Sequence, residues 1–460
     1  MLFHTQAFLL AFLPLTLVAY YALGAYDQAR RWAVIAASLA FYGYWDWRLV
    51  PLLVGSVIAN WLLSHLPPRL PMRAVVMLGV TANLLLLGVF KYADFAIGSV
   101  EAAFGLKHDP FGIVLPLGIS FFTFQQISYL VDLGRGSAPR YRFADYALWV
   151  VLFPHLIAGP IIRHHEIIDQ FSLPPLRPGL AERVSRGFVL LTLGIAKKAL
   201  LADPLALLAE PIFQAASEGR AVGLVDGWCA GLAFSLQIYF DFSGYSDMAM
   251  GLGLLLGLML PLNFLAPYRA TSIRDFWRRW HITLSRFLRD YLYIPMGGNR
   301  LGRLGRVGAT LATMLLGGLW HGAAWTFVAW GALHGVALVA NQAWAASGRR
   351  CPALLGWLMT MLVVVAGFVL FRANSFSAAA DMLTGMAGLH GKGALAQGAR
   401  DWWLIPLAGA IAIIGPTAHQ VALERLKPSS WLAAATTLLF VYLLLAVGGG
   451  RNTEFIYFQF

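Results

Sequence analysis

Residues 314–335 read MLLGGLWHGAAWTFVAWGALHG and contain no Asp, Glu, Lys or Arg. Such apolarity is typical of helices that cross a lipid bilayer, and two candidate spans, 307–321 and 323–345, meet within this stretch. It nevertheless carries two histidines, His321 and His334. Because an ionisable side chain at membrane depth is costly, it is expected to face protein or water and is a candidate functional residue. The segment therefore predicts a membrane protein with a functional site inside it.

The rest of the chain has the same character: 59% of its 460 residues are hydrophobic and 12% are charged. Apolar runs of about 20 residues recur along it, and long continuous runs favour helices over a β-barrel. We predict an all-α polytopic integral membrane protein with about 11–13 membrane helices. It is predicted to form one membrane domain over residues 1–460, with N-terminal spans (1–143), a catalytic core (144–345) and C-terminal spans (346–460).

The formal net charge is +12, from 34 basic and 22 acidic residues. In a membrane protein such an excess usually marks cytoplasmic loops, so no nucleic-acid partner is predicted and lipid is the expected neighbour. Cys229 and Cys351 are isolated, and no spacing of His, Cys or Glu suggests a metal site. Arginines concentrated after alternate spans predict an N-terminus outside the cytoplasm; they are Arg30, Arg31, Arg69, Arg73, Arg135, Arg140 and Arg142.

Residues 267–306 differ from a lipid-facing helix because they hold nine arginines among aromatic residues. Ser272 is predicted to cap a helix that begins near Ile273. On such a helix four side chains would share one face: Arg274, Trp277, Arg278 and His281.

Two interpretations of these arginines stay open. An interfacial amphipathic helix would bind anionic lipid. Alternatively, a cytoplasmic mouth would bind the phosphates of a donor through Arg274, Arg278 and Arg279, since guanidinium groups suit phosphate.

A polar junction lies upstream, in QIYFDFSGYSDMAMGLGLLLG (237–257), between two apolar runs. Asp241, Ser243 and Asp247 are predicted to face protein or water. We expect the two aspartates to pair with arginines of 267–306 rather than to act in catalysis, and Asn299 is assigned to the same polar network.

The two histidines of the opening segment receive different interpretations. His334 is predicted to pack between helices and to hydrogen-bond across the bundle. Around His321, neighbouring glycines leave space, and Trp320 offers an apolar surface against which an acyl donor could bind. A neutral imidazole in such a dry site suits a general base.

Four blocks together resemble the membrane-bound O-acyltransferase family, in particular the bacterial branch typified by the membrane subunit of alginate O-acetylation. They follow the family order between about 150 and 340, and their length makes the resemblance highly specific. The blocks are FPHLIAGPIIR (153–163), QIYFDFSGYSDMAMGLGL (237–254), FWRRWHITLSRFLRDYLYIPMGGNR (276–300) and MLLGGLWHGAAWTFVAWGALHG (314–335).

The resemblance implies that His321 is the essential histidine of the family's WHG motif. It places His281 at the second polar position, which is a His in this branch and often Asn or Asp in eukaryotic relatives. The implied fold is a ring of tilted, re-entrant and interfacial helices around a central tunnel.

The resemblance also implies a substrate pathway. The implied donor is a cytoplasmic acyl thioester, acetyl-CoA or an acyl carrier protein, with no permanently bound cofactor. Acyl groups would cross the bacterial inner membrane. They would then reach an envelope polysaccharide such as alginate or cellulose through a periplasmic SGNH-type partner.

The segment FIYFQF (455–460) has the spacing F-x-Y-x-x-F. It follows the candidate span 430–448, which basic residues precede, so the C-terminus is predicted to be periplasmic. The segment is either an aromatic interfacial anchor or, by resemblance to a proposed acyl relay, a carrier of the acyl group on the hydroxyl of Tyr457.

These observations predict an O-acyltransferase, with two rivals. A proton-coupled transporter or flippase would use Asp241, Asp247 and the histidines as a proton relay, but paired broken helices in two symmetric halves are not seen in the sequence. The other rival keeps the O-acyltransferase activity and changes the acceptor to lipid or protein.

Overall fold

The computed structural model describes residues 1–67, 71–106, 109, 111–398, 401–427, 429–448 and 455–456. Across these residues the regular structure is helical and contains no strand. Four helical segments of this described part are long and apolar enough to cross a membrane: Asp27–Ser64, Met72–Phe104, Ala353–Arg372 and Ser430–Val447. The chain is a polytopic all-α membrane protein, as predicted, whereas the number of about 11–13 membrane helices stays a prediction.

The chain forms two compact units, each discontinuous in sequence. The first comprises residues 1–195, 245–262 and 422–450, and the second comprises residues 196–244, 263–421 and 451–460. The single domain and its three predicted segments stay predictions.

The first unit is built from helices of very different length. Its α-helices are Leu13–Ala22, Asp27–Asp46, Val50–Ser64, Met72–Leu87, Ala93–Phe104, Ile119–Gly134, Phe143–Val151, Phe153–Leu156, His164–Ile167, Leu180–Ala196 and Ser430–Gly448.

Its least regular part is residues 153–167, where Pro154, Gly159 and Pro160 interrupt an apolar run and predict a broken or re-entrant helix. Two four-residue helices flank a non-helical stretch there, and the stretch is buried. Backbone at this depth needs polar partners from the protein, and side chains supply them. The indole of Trp149 donates to the carbonyl of Ile162 at 3.1 Å, and the amide of Gln125 donates to the same oxygen at 3.4 Å.

The second unit contains the arginine-rich segment and both histidines of the opening stretch. Its α-helices are Asp203–Ser217, Ile273–Arg279, Ile282–Leu288, Gly302–His321, Trp325–Ala346, Ala353–Arg372, Phe376–Met386 and Leu404–Ile413, together with residues 224–244 of the helix Leu224–Leu255.

A helical hairpin, Gly302–His321 and Trp325–Ala346, carries the two histidines. Small residues allow its two backbones to approach closely. A β-carbon added at Gly318 would overlap the carbonyl oxygen of Phe327, and one added at Gly331 would overlap that of Met314. Glycine at these two positions therefore fixes how the hairpin closes and where its corner lies.

The predicted junction near residue 241 is instead the interior of one helix. Leu224–Leu255 runs for 32 residues without a break, although the sequence suggests separate apolar runs before and after Asp241. Polar side chains interrupt hydropathy but not helical hydrogen bonding, and this stretch contains no proline.

Candidate active site

His321 lies at the corner of the hairpin. It is the last residue of Gly302–His321, and Gly322 continues in an extended conformation before the next helix begins at Trp325. Only 5% of His321 is exposed. Its ring centroid lies 5.1 Å from that of Trp330 and 5.3 Å from that of Phe371, so aromatic rings restrict its access to water.

His281 lies between two short helices, Ile273–Arg279 and Ile282–Leu288. Its φ of 42° places it in the left-handed region, so the chain turns sharply there. The ring is fully buried, and its Nδ1 lies 3.1 Å from Oδ1 of Asn263. Asn263 also binds the turn through its carbonyl oxygen, which accepts from the backbone N–H of Ile282 at 3.0 Å.

The bonds of Asn263 determine the tautomer of His281. Oδ1 of Asn263 accepts from the backbone N–H of Thr283 at 3.3 Å and from its hydroxyl at 2.9 Å. A backbone N–H can only donate, so the atom facing His281 is the amide oxygen. Nδ1 of His281 must therefore carry a proton, and Nε2 of the neutral ring has the lone pair.

His281 and His321 form a buried pair. Their ring centroids are 6.4 Å apart, and Trp320 lies beside both, 6.1 Å from His281 and 4.9 Å from His321. His281 lies outside the candidate membrane-spanning segments. Burial lowers its pKa to about 3, so its ring is neutral near pH 7. A neutral ring of this kind can accept a hydrogen bond from a reacting hydroxyl in a dry reaction centre.

Asp241 is buried in the same unit, and among the residues that the structure describes it does not pair with an arginine. Its carboxylate lies 2.9 Å from Nζ of Lys198 and accepts from the backbone N–H of Ile456 at 2.8 Å. The prediction that Asp241 braces arginines of 267–306 is therefore wrong. The cation beside Asp241 is Lys198, which lies in the π-helical turn Lys197–Ala202.

The sequence matches the membrane-bound O-acyltransferase family over residues 134–378, a range that contains His281 and His321. The chain belongs to the membrane-bound O-acyltransferase family. It is therefore an O-acyltransferase of the membrane.

Three relatives illustrate the breadth of the similarity. The chain is 40% identical over 428 residues to the peptidoglycan O-acetyltransferase of Helicobacter pylori, covering 85% of this chain and 80% of that protein. It is 41% identical over 400 residues to a probable alginate O-acetylase of Pseudomonas aeruginosa, covering 84% and 75% respectively. It is 28% identical over 239 residues to the teichoic acid D-alanyltransferase of Streptococcus thermophilus, covering 50% and 57%.

In this O-acyltransferase the arginines predicted to bind the donor separate into two groups. Arg274 and Arg278 are exposed on Ile273–Arg279. Arg279 instead donates from Nε to both carboxylate oxygens of Asp275 at 3.0 Å. The predicted cap is confirmed, because the Ser272 hydroxyl accepts from the N–H of Asp275.

The predicted common face of this helix is wrong. Trp277 is buried while Arg274 and Arg278 are exposed, and His281 lies beyond the end of the helix at Arg279. The left-handed backbone at His281 turns its ring away from the arginine face.

The other predicted polar residues lie in different surroundings. Ser243 is buried and accepts from Nζ of Lys197 at 3.3 Å. Asp247 is buried in the first unit. Asn299 is exposed and accepts from the hydroxyl of Tyr293 at 2.8 Å, so the structure places it in a surface turn.

His334 differs from its prediction of a hydrogen bond across the bundle. Within the described part of the chain, neither of its ring nitrogens has a hydrogen-bond partner. The ring packs instead between Trp330, at 4.8 Å, and Trp277, at 5.3 Å between centroids. The predicted helix packing is present, and aromatic contacts replace the expected hydrogen bond.

Tyr457, the predicted acyl relay, lies outside the described residues. The two residues before it, Phe455 and Ile456, are described, and each is 2% exposed.

One group in the first unit has the composition of a metal site. Asp132, His164 and His165 offer ligand atoms within 4.8 Å of one another. Both ring nitrogens of His164 already have protein partners, Asp132 at 3.3 Å and the hydroxyl of Tyr141 at 2.8 Å. A cation would have to displace one of these bonds, so we assign no metal to this group.

Sequence reasoning missed the residues that hold the site. Asn263 is 18 residues before His281, and no spacing rule connects them, because a sharp turn brings them together. Lys198 lies in an otherwise apolar stretch far from Asp241 in sequence, so no local pattern connects the two residues. The available signal was the charge itself, because a lysine within an apolar stretch needs an oppositely charged partner such as Asp241.

Proposed function

We propose that this membrane O-acyltransferase moves acetyl groups from cytoplasmic acetyl-CoA across the bacterial inner membrane for O-acetylation of an exported polysaccharide. The observation that carries the proposal is the buried pair His281 and His321, whose ring centroids are 6.4 Å apart. A polysaccharide acceptor is supported by the names of two relatives, a peptidoglycan O-acetyltransferase and a probable alginate O-acetylase. Delivery would use a periplasmic SGNH-type partner.

In this proposal His321 is the general base. It takes the proton of the accepting hydroxyl while that oxygen attacks the thioester carbon. The carbon–sulfur bond breaks, and the departing thiolate takes the proton back from His321. The aromatic rings around His321 exclude water that would hydrolyse the thioester.

His281 acts as a hydrogen-bond acceptor in this scheme and does not take up the proton fully. Its Nδ1–H is committed to Asn263, so a neutral ring can only accept through Nε2. Polarising the thioester carbonyl would require a second N–H. A pKa of about 3 disfavours the imidazolium that would provide it. His281 could polarise the thioester carbonyl or share the proton of the accepting hydroxyl. Sharing that proton, through a hydrogen bond from the hydroxyl to Nε2, is therefore the favoured role.

The donor phosphates would be bound by Arg274 and Arg278, which are exposed one helical turn apart. Arg279 is the weaker candidate because Asp275 engages its guanidinium group. Guanidinium forks suit phosphate oxygens, and both CoA and a phosphopantetheinylated carrier protein present phosphate. The donor side is therefore compatible with either thioester.

The accepting hydroxyl is proposed to be that of Tyr457, which would carry the acyl group before its transfer to the partner. A phenol needs a base to act as a nucleophile. An aromatic anchor in the interface is the alternative for this segment, and the two differ in whether the chain retains the acyl group.

The test uses purified full chain in detergent and acetyl-CoA labelled in the acetyl group. CoA release and label retained on the chain are measured for the wild type, His321→Ala and Tyr457→Phe. Retained label in the wild type and in neither variant supports an acyltransferase with a relay on Tyr457. Label that persists in Tyr457→Phe overturns the relay.

A second arm replaces acetyl-CoA with an acetylated carrier protein. Turnover with the carrier alone would assign the donor to that class and contradict acetyl-CoA. Full thioester turnover in His321→Ala would refute the mechanism, and no turnover with either donor in the presence of partner and polysaccharide would refute the function.

A further inference from the structure

A buried group of charges in the second unit holds the main chain of Ile456. Nζ of Lys198 lies 2.8 Å from Asp203 and 2.9 Å from Asp241. The second oxygen of Asp241 accepts from the backbone N–H of Ile456 at 2.8 Å. Lys198 and Asp241 are 3% and 2% exposed. The carboxylate is therefore oriented by Lys198 and binds a peptide group that is distant in sequence.

The chemistry of this contact is that of a peptide-binding site. A hydrogen bond from a backbone N–H to a carboxylate is charge-assisted and is stronger than one between neutral groups. It recognises the main chain rather than a particular side chain. A buried ion pair alone is weak evidence for stability, so a carboxylate that also binds a remote N–H suggests a positioning role.

Phe242, which follows Asp241 on the same helix, contacts the side chain of Phe455, which precedes Ile456. The ring of Phe455 lies 6.2 Å from that of Phe242. Phe242 also makes an edge contact with His281, with ring centroids 4.7 Å apart. Asp241 and Phe242 thus contact one segment through its main chain and its side chain, and Phe242 joins that contact to the catalytic pair.

We propose that Asp241 and Phe242, supported by Lys198 and Asp203, form a docking site for a peptide segment. Phe455 and Ile456 occupy this site, and docking sets where the next residue, Tyr457, is presented to the histidine pair. Asp241 is then a positioning residue. The inference rests on the proposed function where it concerns Tyr457. The docking itself can be tested without any acyl transfer.

The first experiment measures docking alone. Ile456→Cys is made in a full chain in which Cys229 and Cys351 are replaced by Ser, and the rate of maleimide labelling is followed in detergent. The substitution keeps the backbone N–H, and the buried position predicts slow labelling. Replacing Asp241 by Leu removes the acceptor, and Lys198 keeps Asp203 as its ion partner. Labelling should accelerate at least about 10-fold, the effect of losing a hydrogen bond to a charged group.

The matched control is Asp241→Asn, which keeps an oxygen acceptor at the same position. Its labelling should accelerate less than that of Asp241→Leu. Equal labelling rates in all three backgrounds would overturn the docking site, whatever the enzyme does with thioesters.

The second experiment concerns presentation of Tyr457. Ile456→Pro removes the backbone N–H, and Ile456→Ala is its reference because it removes side-chain bulk and keeps the N–H. The ratio of thioester hydrolysis to acyl retention should be at least about 10-fold higher in the Pro variant, because a misplaced nucleophile loses the acyl group to water.

A defect in folding would lower hydrolysis and retention together, and so would leave that ratio unchanged. An unchanged ratio overturns the presentation role. If wild-type protein shows no turnover with any thioester, the proposed function fails, while the labelling result still decides the docking.

Discussion

His281 and His334 are both buried histidines of the second unit with aromatic neighbours, yet their surroundings differ in one respect. Nδ1 of His281 bonds to Asn263, and the turn that carries it is bonded to the same residue. His334 lies between Trp277 and Trp330, and in the described residues neither of its nitrogens has a hydrogen-bond partner.

The difference shows that burial alone does not make a histidine a candidate for proton transfer. A hydrogen bond to a fixed oxygen selects one tautomer and orients the other nitrogen. Aromatic contacts fix neither the tautomer nor the orientation of the nitrogens, because a flip of the ring leaves those contacts unchanged. We therefore propose a role in the reaction for His281 and a packing role for His334.

The largest expected effect is that of His321→Ala. Removing a general base should lower kcat for thioester transfer about 10³-fold. His334→Leu is the matched control because it removes a buried histidine from the same hairpin. Transfer rates with labelled thioester donor check this, and equal losses in the two variants would remove the distinction between the histidines.

The next effect concerns the oxygen that orients His281. Asn263→Ala should lower kcat about 10²-fold, since a small misplacement of a catalytic group costs that much. Thr283→Val, which keeps the backbone N–H and loses only the hydroxyl, should cost less. A fully active Asn263→Ala variant would show that the hydrogen bond does not orient His281 for reaction.

A pH-dependent stability follows from the burial of His281. Its pKa falls from 6.5 to about 3 on folding, so between these values only the unfolded chain binds the proton. Stability should fall as pH falls through this interval, by about 1.4 kcal/mol per pH unit for this one group.

Thermal unfolding in detergent, measured at several pH values down to about pH 4.5, checks this contribution. The dependence should be shallower in His281→Leu than in the wild type. Parallel curves for the two proteins would mean that His281 does not enter the folded state as a neutral group.

The smallest effect is expected for His334→Leu. Replacing a buried polar ring that lacks hydrogen bonds by an apolar side chain should change the free energy of unfolding by less than about 1.5 kcal/mol. Transfer activity should stay within about threefold of the wild type, because His334 takes no part in the proposed proton transfer. Thermal unfolding and transfer assays check the two expectations, and a large activity loss with normal unfolding would assign His334 to the reaction.

The sequence predicted elements whose signals are local. The cap at Ser272 and the hairpin that bears His321 follow from side-chain type, hydropathy and short-range spacing. The broken helix at 153–167 follows from its proline and glycine residues. In each case the determining residues are neighbours along the chain.

Two predictions that depended on contacts between residues far apart in sequence were wrong. Helical periodicity placed His281 beside the arginines, but bonds from Asn263 hold the chain in a turn there. Charge complementarity suggested an arginine for Asp241, whereas the nearest cation is Lys198. Choosing among equally charged partners requires the tertiary arrangement of the helices.

The left-handed backbone at His281 restricts which residues can occupy that position. Apart from glycine, the side chains that adopt this conformation most readily are Asn, Asp and His. These are the residues that the family resemblance implies at the position. The turn thus limits the site to a short set of polar side chains before catalysis selects among them, and a β-branched residue there would be excluded by the backbone alone.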